Sequence, residues 1–161
     1  MIAFKWLARG AMAPFTGVRW PLGEWVSAPA GGPAGSGVHA CRIAHLPWWV
    51  DAELWRVELG GSVIEHETQL EARRGRLLDR VTSWDPDAFA HACAARAAAL
   101  AAKLATSELA EYAALARNCG AATAAYVAAV ATVAARGTAA FAEERAWQAQ
   151  WLALTLGLRE S

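Results

Sequence analysis

The chain predicts an α+β fold: a small, mostly antiparallel, tryptophan-rich β-module followed by an alanine-rich bundle of about four helices. Three observations carry this. Residues 1–84 alternate apolar and polar side chains in short runs separated by glycine and proline, the period of half-buried strands. Asp85-Pro86-Asp87 then supplies a capping acceptor, a proline suited to the first helical position and an acid for the first turn. Beyond it every stretch has helical spacing on an alanine background, and seven of the nine tryptophans precede it. The two regions, 1–84 and 85–161, are expected to pack as one compact unit.

Residues 1–7 place Ile2, Phe4 and Trp6 on one side of an opening strand that Arg9-Gly10 ends. Between 11 and 26, turn formers Pro14, Gly17, Pro21 and Gly23 interleave with Phe15, Trp20 and Trp25, which predicts short extended pieces whose aromatics fold over a common core. Residues 27–37 offer no side chain able to pack and predict a surface loop, either a tolerated insertion or a lid. Residues 37–43 read as a brief strand, with a helical turn expected to start at Pro47. Trp55, Val57 and Leu59 alternate with Arg56 and Glu58 in a strand expected to end at Gly60-Gly61. Further strands are expected over 62–70 and 76–84, with a turn at 72–75. The helices are expected over 86–105, from Ser107 to about Asn118, over 121–136 and from Thr138 onward. Their buried stripes are expected to carry Phe89, Cys93, Leu100 and Leu104, then Tyr126, Val130 and Val133. In the fourth helix Phe141, Arg145, Gln148 and Leu152 trace one side.

Composition narrows the function. Fifteen basic and fifteen acidic residues cancel, so the net field that draws a protein onto nucleic acid or an anionic membrane is missing. The near-neutral balance favours self-association, and a homodimer through the helices is expected. Cys41, Cys93 and Cys119 are odd in number and widely spaced, and the first seventeen residues lack the form of a secretion signal, which predicts a reduced, cytoplasmic protein. Residues 118–135 carry no charge, yet alanine and threonine fill much of the segment, so a buried helix rather than a membrane span is expected.

The stretch 37–49 concentrates the side chains able to do chemistry. His39, Cys41, His45, Trp48 and Trp49 lie within thirteen residues. On a strand His39 and Cys41 face the same way, so the pair is a candidate catalytic unit, with imidazole lowering the thiol pKa; ordinary packing is the alternative. His91 and Cys93 have the same spacing on a helix, where they point apart, so no metal site is expected. The tryptophans Trp20, Trp25, Trp48, Trp49 and Trp55 are candidates for walls of a ligand pocket or for core. No phosphate-cradling glycine loop, nucleophile elbow or paired Cys-x-x-Cys occurs. The sequence names no cofactor.

The run GVHACRIAHLPWWVDAELWRVEL, with RRGRLLDRV and AWQAQWLALTLGL later, resembles a family of actinobacterial proteins to which no activity is attached. The likeness spans most of the chain and implies no function. The Gly-x-His-Ala-Cys element is also similar to phage and plasmid proteins of unknown role, and more distantly to ADP-ribosyltransferase cores. That last resemblance implies that Arg9 and His39 face a nicotinamide pocket and that Glu58 supplies an acid, although the chain has no Ser-Thr-Ser-like strand. Three functions stay open: a small-organic-molecule binder, as a tailoring enzyme using His39 and Cys41, with Arg9, Trp20, Trp25, His45, Trp48, Trp49 and Glu58 around the ligand; a non-catalytic interaction or oligomerisation protein; and an NAD-using transferase.

Overall fold

The computed structural model describes residues 1–28 and 37–159, so most of the loop expected at 27–37 lies outside the described residues. The fold is α+β. Strands β1 (Ile2–Leu7), β2 (Val26–Ser27), β3 (Val38–Ala40), β4 (Glu53–Glu65) and β5 (Leu70–Arg80) form one sheet, with a 3-10 helix at Ile43–Trp48. Helices α1 (Pro86–Leu104), α2 (Ser107–Arg117), α3 (Ala121–Arg136) and α4 (Ala140–Leu156) follow. Backbone proximity divides the chain into Met1–Trp84 with Thr155–Ser161, and Asp85–Leu154.

All strand pairings are antiparallel: β1 with β4, β4 with β5, and β5 with β2 and β3. Just past β3, Cys41 pairs with Phe4 through two backbone hydrogen bonds, Phe4 N–H to Cys41 O at 3.0 Å and Cys41 N–H to Phe4 O at 2.7 Å. That bridge returns the β3 segment to β1, so β1, β4, β5 and β3 close into a ring of paired backbone. One face carries a core of Ala3, Leu7, Val38, Ala40, Val57, Leu59, Leu70, Ala72 and Leu77, joined by Ala11 and Trp20. Gly75 makes room for this curl. A Cβ there would stand 2.8 Å from Val38 Cγ1.

Several boundaries differ from those expected. β4 runs through Gly60-Gly61, absorbing the glycines as a bulge rather than ending there; Gly61 takes φ +83°, which a glycine adopts at little cost. The turn expected at 72–75 is instead the middle of β5. The true reversal spans His66 to Gln69, closed by the His66 N–H to Gln69 O bond of 2.8 Å. Pro47 lies near the end of its helical turn, not at its start.

The helices begin and end close to where their caps predict. The Asp85 carboxylate accepts from the N–H groups of Asp87 and Ala88, and the Thr106 hydroxyl accepts from Leu109 N–H, so α2 is capped one residue before Ser107. The buried stripe of α1 is Phe89, Cys93, Ala94 and Ala97, while Leu104 is exposed. In α3 alanines, with Val127 and Thr132, fill the buried face and Tyr126 is exposed. Close packing of methyl-sized side chains leaves no room for larger ones. Arg145, Gln148 and Leu152 on α4 are buried, and Gln148 Nε2 donates to Ala125 O at 2.9 Å. Among the described residues no helix is long and apolar enough to cross a membrane.

Candidate functional site

Within Met1–Trp84 the chain leaves β1, reverses through two tight turns and returns at Trp20. Met12 bridges Ala8 on one side and Arg19 on the other, and Trp20 N–H donates to Ala11 O at 2.9 Å. This excursion overhangs the sheet and leaves a cleft of about 500 Å³ between them. Trp20, Pro21, Leu22, Trp55 and Leu77 give apolar walls; Arg19, Arg80 and Glu53 supply charge.

Glu53 anchors the cleft. Its carboxylate accepts from Gly10 N–H at 3.0 Å, Ala11 N–H at 3.1 Å and Trp55 Nε1–H at 3.1 Å, and pairs with the Arg80 guanidinium at 3.4 Å. Gly10 and Ala11 are both left-handed, at φ +77° and +58°, which turns two successive N–H groups toward one anion. An alanine held in that region stores about 1 kcal/mol of strain, which the bond to a buried carboxylate offsets. Burial by itself would raise the Glu53 carboxyl, but hydrogen bonds from Gly10, Trp55 and Ala11, with Arg80 nearby, outweigh it and hold the group below its ordinary range. Glu53 is thus a fixed anion with its acceptors occupied. The pairing leaves Arg19 as the charged wall group with no ion pair among the described residues.

The candidate pair His39 and Cys41 lies apart from this cleft. In the backbone ladder His39 pairs with Glu71 on β5, and Cys41 with Phe4 on β1. Neither lines the cleft. Cys41 must be corrected from candidate nucleophile to packing residue: it is 2% exposed, its thiol donates to Phe4 O at 3.4 Å, and burial, opposed by the Lys5 charge, pushes it up to about 12. A thiol at that value supplies essentially no thiolate at neutral pH. The His39 Nε2 atom is buried without a hydrogen-bond partner among the described residues. Burial first, then the Lys5 charge, lowers its pKa, with Glu71 acting in the other direction. The Glu71 carboxylate is itself bound to His66 at 3.0 Å and to Gly37 N–H at 3.1 Å.

Of the other residues expected around a ligand, Trp20 and Trp55 line the cleft. Trp25 lies outside it, over Gly60, with the Arg74 and Arg76 guanidinium carbons 4.4 and 5.0 Å from its ring. Trp48 and Trp49 are exposed, and Trp49 Nε1 donates to Thr68 O at 2.8 Å. The His45 ring keeps its Nδ1 buried without a partner among the described residues. Arg9 is exposed on the turn after β1, and Glu58 is engaged by Arg76 at 2.7 Å, so Arg9, His39 and Glu58 are not gathered around the cleft as a nicotinamide site requires. The lining residues that the sequence did not single out are Arg19, Glu53 and Leu77. Glu53 alone gave a signal, an acid at a position where the strand alternation calls for an inward apolar side chain. Among the described residues no group of three or more His, Cys, Asp or Glu stands close enough to share a metal ion.

The fold and cleft define an α+β protein with a closed β-ring and an aromatic, arginine-edged recess. No family model matches the chain, and no curated protein or solved structure is significantly similar to it.

Proposed function

We propose that this protein binds a small, flat organic anion in the cleft between the 8–20 excursion and the sheet. The carrying observation is the joint presence of two indole walls, Trp20 and Trp55, with two guanidinium groups, Arg19 and Arg80, around a recess of about 500 Å³, a volume suited to a small ligand. Indole faces take up planar apolar surface, and guanidinium forks recognise carboxylate or sulfonate oxygens. The Arg80 contact to Glu53 is long, and Glu53 keeps three N–H donors without it, so Arg80 is available to a second anion. No group in the cleft has the pairing of nucleophile and base that covalent catalysis needs, which favours a binding protein over a tailoring enzyme.

Equilibrium dialysis of 2-naphthoate against the uncharged 2-naphthalenemethanol tests this. The naphthoate is expected to bind the native chain, and Arg19→Ala to weaken it about tenfold, the worth of one charge-assisted hydrogen bond. Absence of naphthoate binding, or equal binding of the two compounds, would remove the proposal.

A second reading rests on the helical region. Leu154 is 75% exposed, and Tyr126, Leu115 and Leu104 on the other three helices are also exposed, apolar side chains of the kind that a second copy covers. Sedimentation equilibrium decides it: a dimer that Leu154→Ser dissociates supports this reading, and a monomer at all concentrations excludes it.

A further inference from the structure

Lys5 is one of only two lysines in the chain. It alternates with Ala3 and Leu7 on β1, whose side chains belong to the sheet core, and its cross-strand neighbour is Trp55. Its ammonium donates to His39 O at 2.5 Å and sits 4.8 Å from the centre of the Trp20 ring. No carboxylate lies within ion-pair distance of it among the described residues, although acids outnumber lysines in the chain by far. A lysine placed on the core face with one carbonyl, one indole and no counter-anion is not arranged as a structural ion pair.

We propose that Lys5 is a reactive amine that condenses with small aldehydes to form an imine. The free amine attacks the carbonyl carbon with its lone pair and a C–N bond forms. The carbonyl oxygen then leaves as water, taking both amine protons, and C=N remains. Every atom of the step comes from the amine and the aldehyde. The ligand must be small, because the amine lies among packed side chains. The apolar surroundings favour a step that starts from the neutral amine, discards water and leaves a neutral group. Desolvation by burial lowers the Lys5 pKa to about 8, against a small opposing influence of Cys41, so a useful fraction is unprotonated at neutral pH. Lys5 as a residue is half-buried rather than sealed in the core.

The other lysine, Lys103, is exposed on the last turn of α1 and serves as internal reference. The folded chain is treated near neutral pH with acetaldehyde and cyanoborohydride, and the reduced adducts are located by fragmentation mass spectrometry over time. Labelling of Lys5 at least about tenfold faster than Lys103 is expected, from the larger free-amine fraction. Lys5→Arg, which keeps a cation that cannot form the imine, is expected to lose that rapid label while Lys103 labels unchanged. Labelling of Lys103 as fast as Lys5, or faster, overturns the proposal whether or not the cleft binds naphthoate.

Discussion

Replacing Glu53 by alanine leaves two backbone N–H groups, an indole N–H and the Arg80 guanidinium without their shared acceptor. The expected loss is about 3–5 kcal/mol, the range for breaking a buried, hydrogen-bonded charge, read as a lower urea midpoint. Glu53→Gln keeps the shape but only one acceptor oxygen, so a loss of about 1–2 kcal/mol is expected. Because the folded carboxyl is held below the ordinary 4.5, its stabilisation is complete above that pH and is lost as pH falls through the folded value. Acid titration of stability should therefore be shallower below about pH 4.5 in Glu53→Gln than in the native chain. Little of this was legible in the sequence. The importance of Glu53 depends on Gly10 and Ala11, forty-odd positions away, adopting left-handed conformations together, and no local spacing encodes that. The prominence of residues 37–49 came from residue types alone; closure of the ring through Phe4 and Cys41 is what buries the thiol.

At the scale of elements, the closed ring depends on the bare backbone of Gly75, opposite Leu59 on β4 and Val26 on β2. Gly75→Ala sets a methyl 2.8 Å from Val38 Cγ1, and Val38 is itself packed in the core. A destabilisation of about 1–3 kcal/mol is expected, the range for forcing an added methyl into a filled core, again as a shifted urea midpoint. The helical region has a counterpart. Arg96 makes a forked pair with Glu144 at 2.9 and 2.8 Å, and the acid is 1% exposed, so Glu144→Ala should cost about 3–5 kcal/mol. Helices were easier to read than strands. Asp85-Pro86 and Gly120 mark starts and Gly137 a stop through backbone chemistry local to each residue, whereas β5 is polar at Arg73, Arg74 and Arg76 and shows its strand character only through β4 beside it. On α1 Phe89 and Cys93 are buried as their spacing predicts, but Ala94 and Ala97 complete the stripe instead of Leu100 and Leu104, and on α3 alanines with Val127 and Thr132 take the place of Tyr126: leucine and tyrosine outweigh alanine in a periodicity, whereas close helix approach favours small side chains.

For the whole β-unit, stability should follow pH in a form set by two core groups. Lys5 gives up its proton near pH 8 in the fold and near 10.5 unfolded, so between those values the unfolded chain holds the extra proton and stability rises with pH. Cys41 acts oppositely from 9 to about 12, where the unfolded chain has lost a proton that the fold retains. A rise of about 1 kcal/mol from pH 8 to 9, a plateau to 10.5 and a decline beyond are expected, followed by tryptophan fluorescence in urea; Lys5→Met should abolish the rise. The antiparallel sheet followed by four helices was legible from the start, because it rests on a change of period at Asp85 that no tertiary contact alters. The cleft was not, because its walls come from four separated segments. Its role is tested most directly by the indole N–H signals of the ¹⁵N-labelled chain during titration with 2-naphthoate. Trp20 and Trp55 are expected to shift in a saturable way while Trp25, Trp48 and Trp49 stay in place. Saturable shifts at Trp48 and Trp49 with Trp20 and Trp55 unmoved would contradict that role.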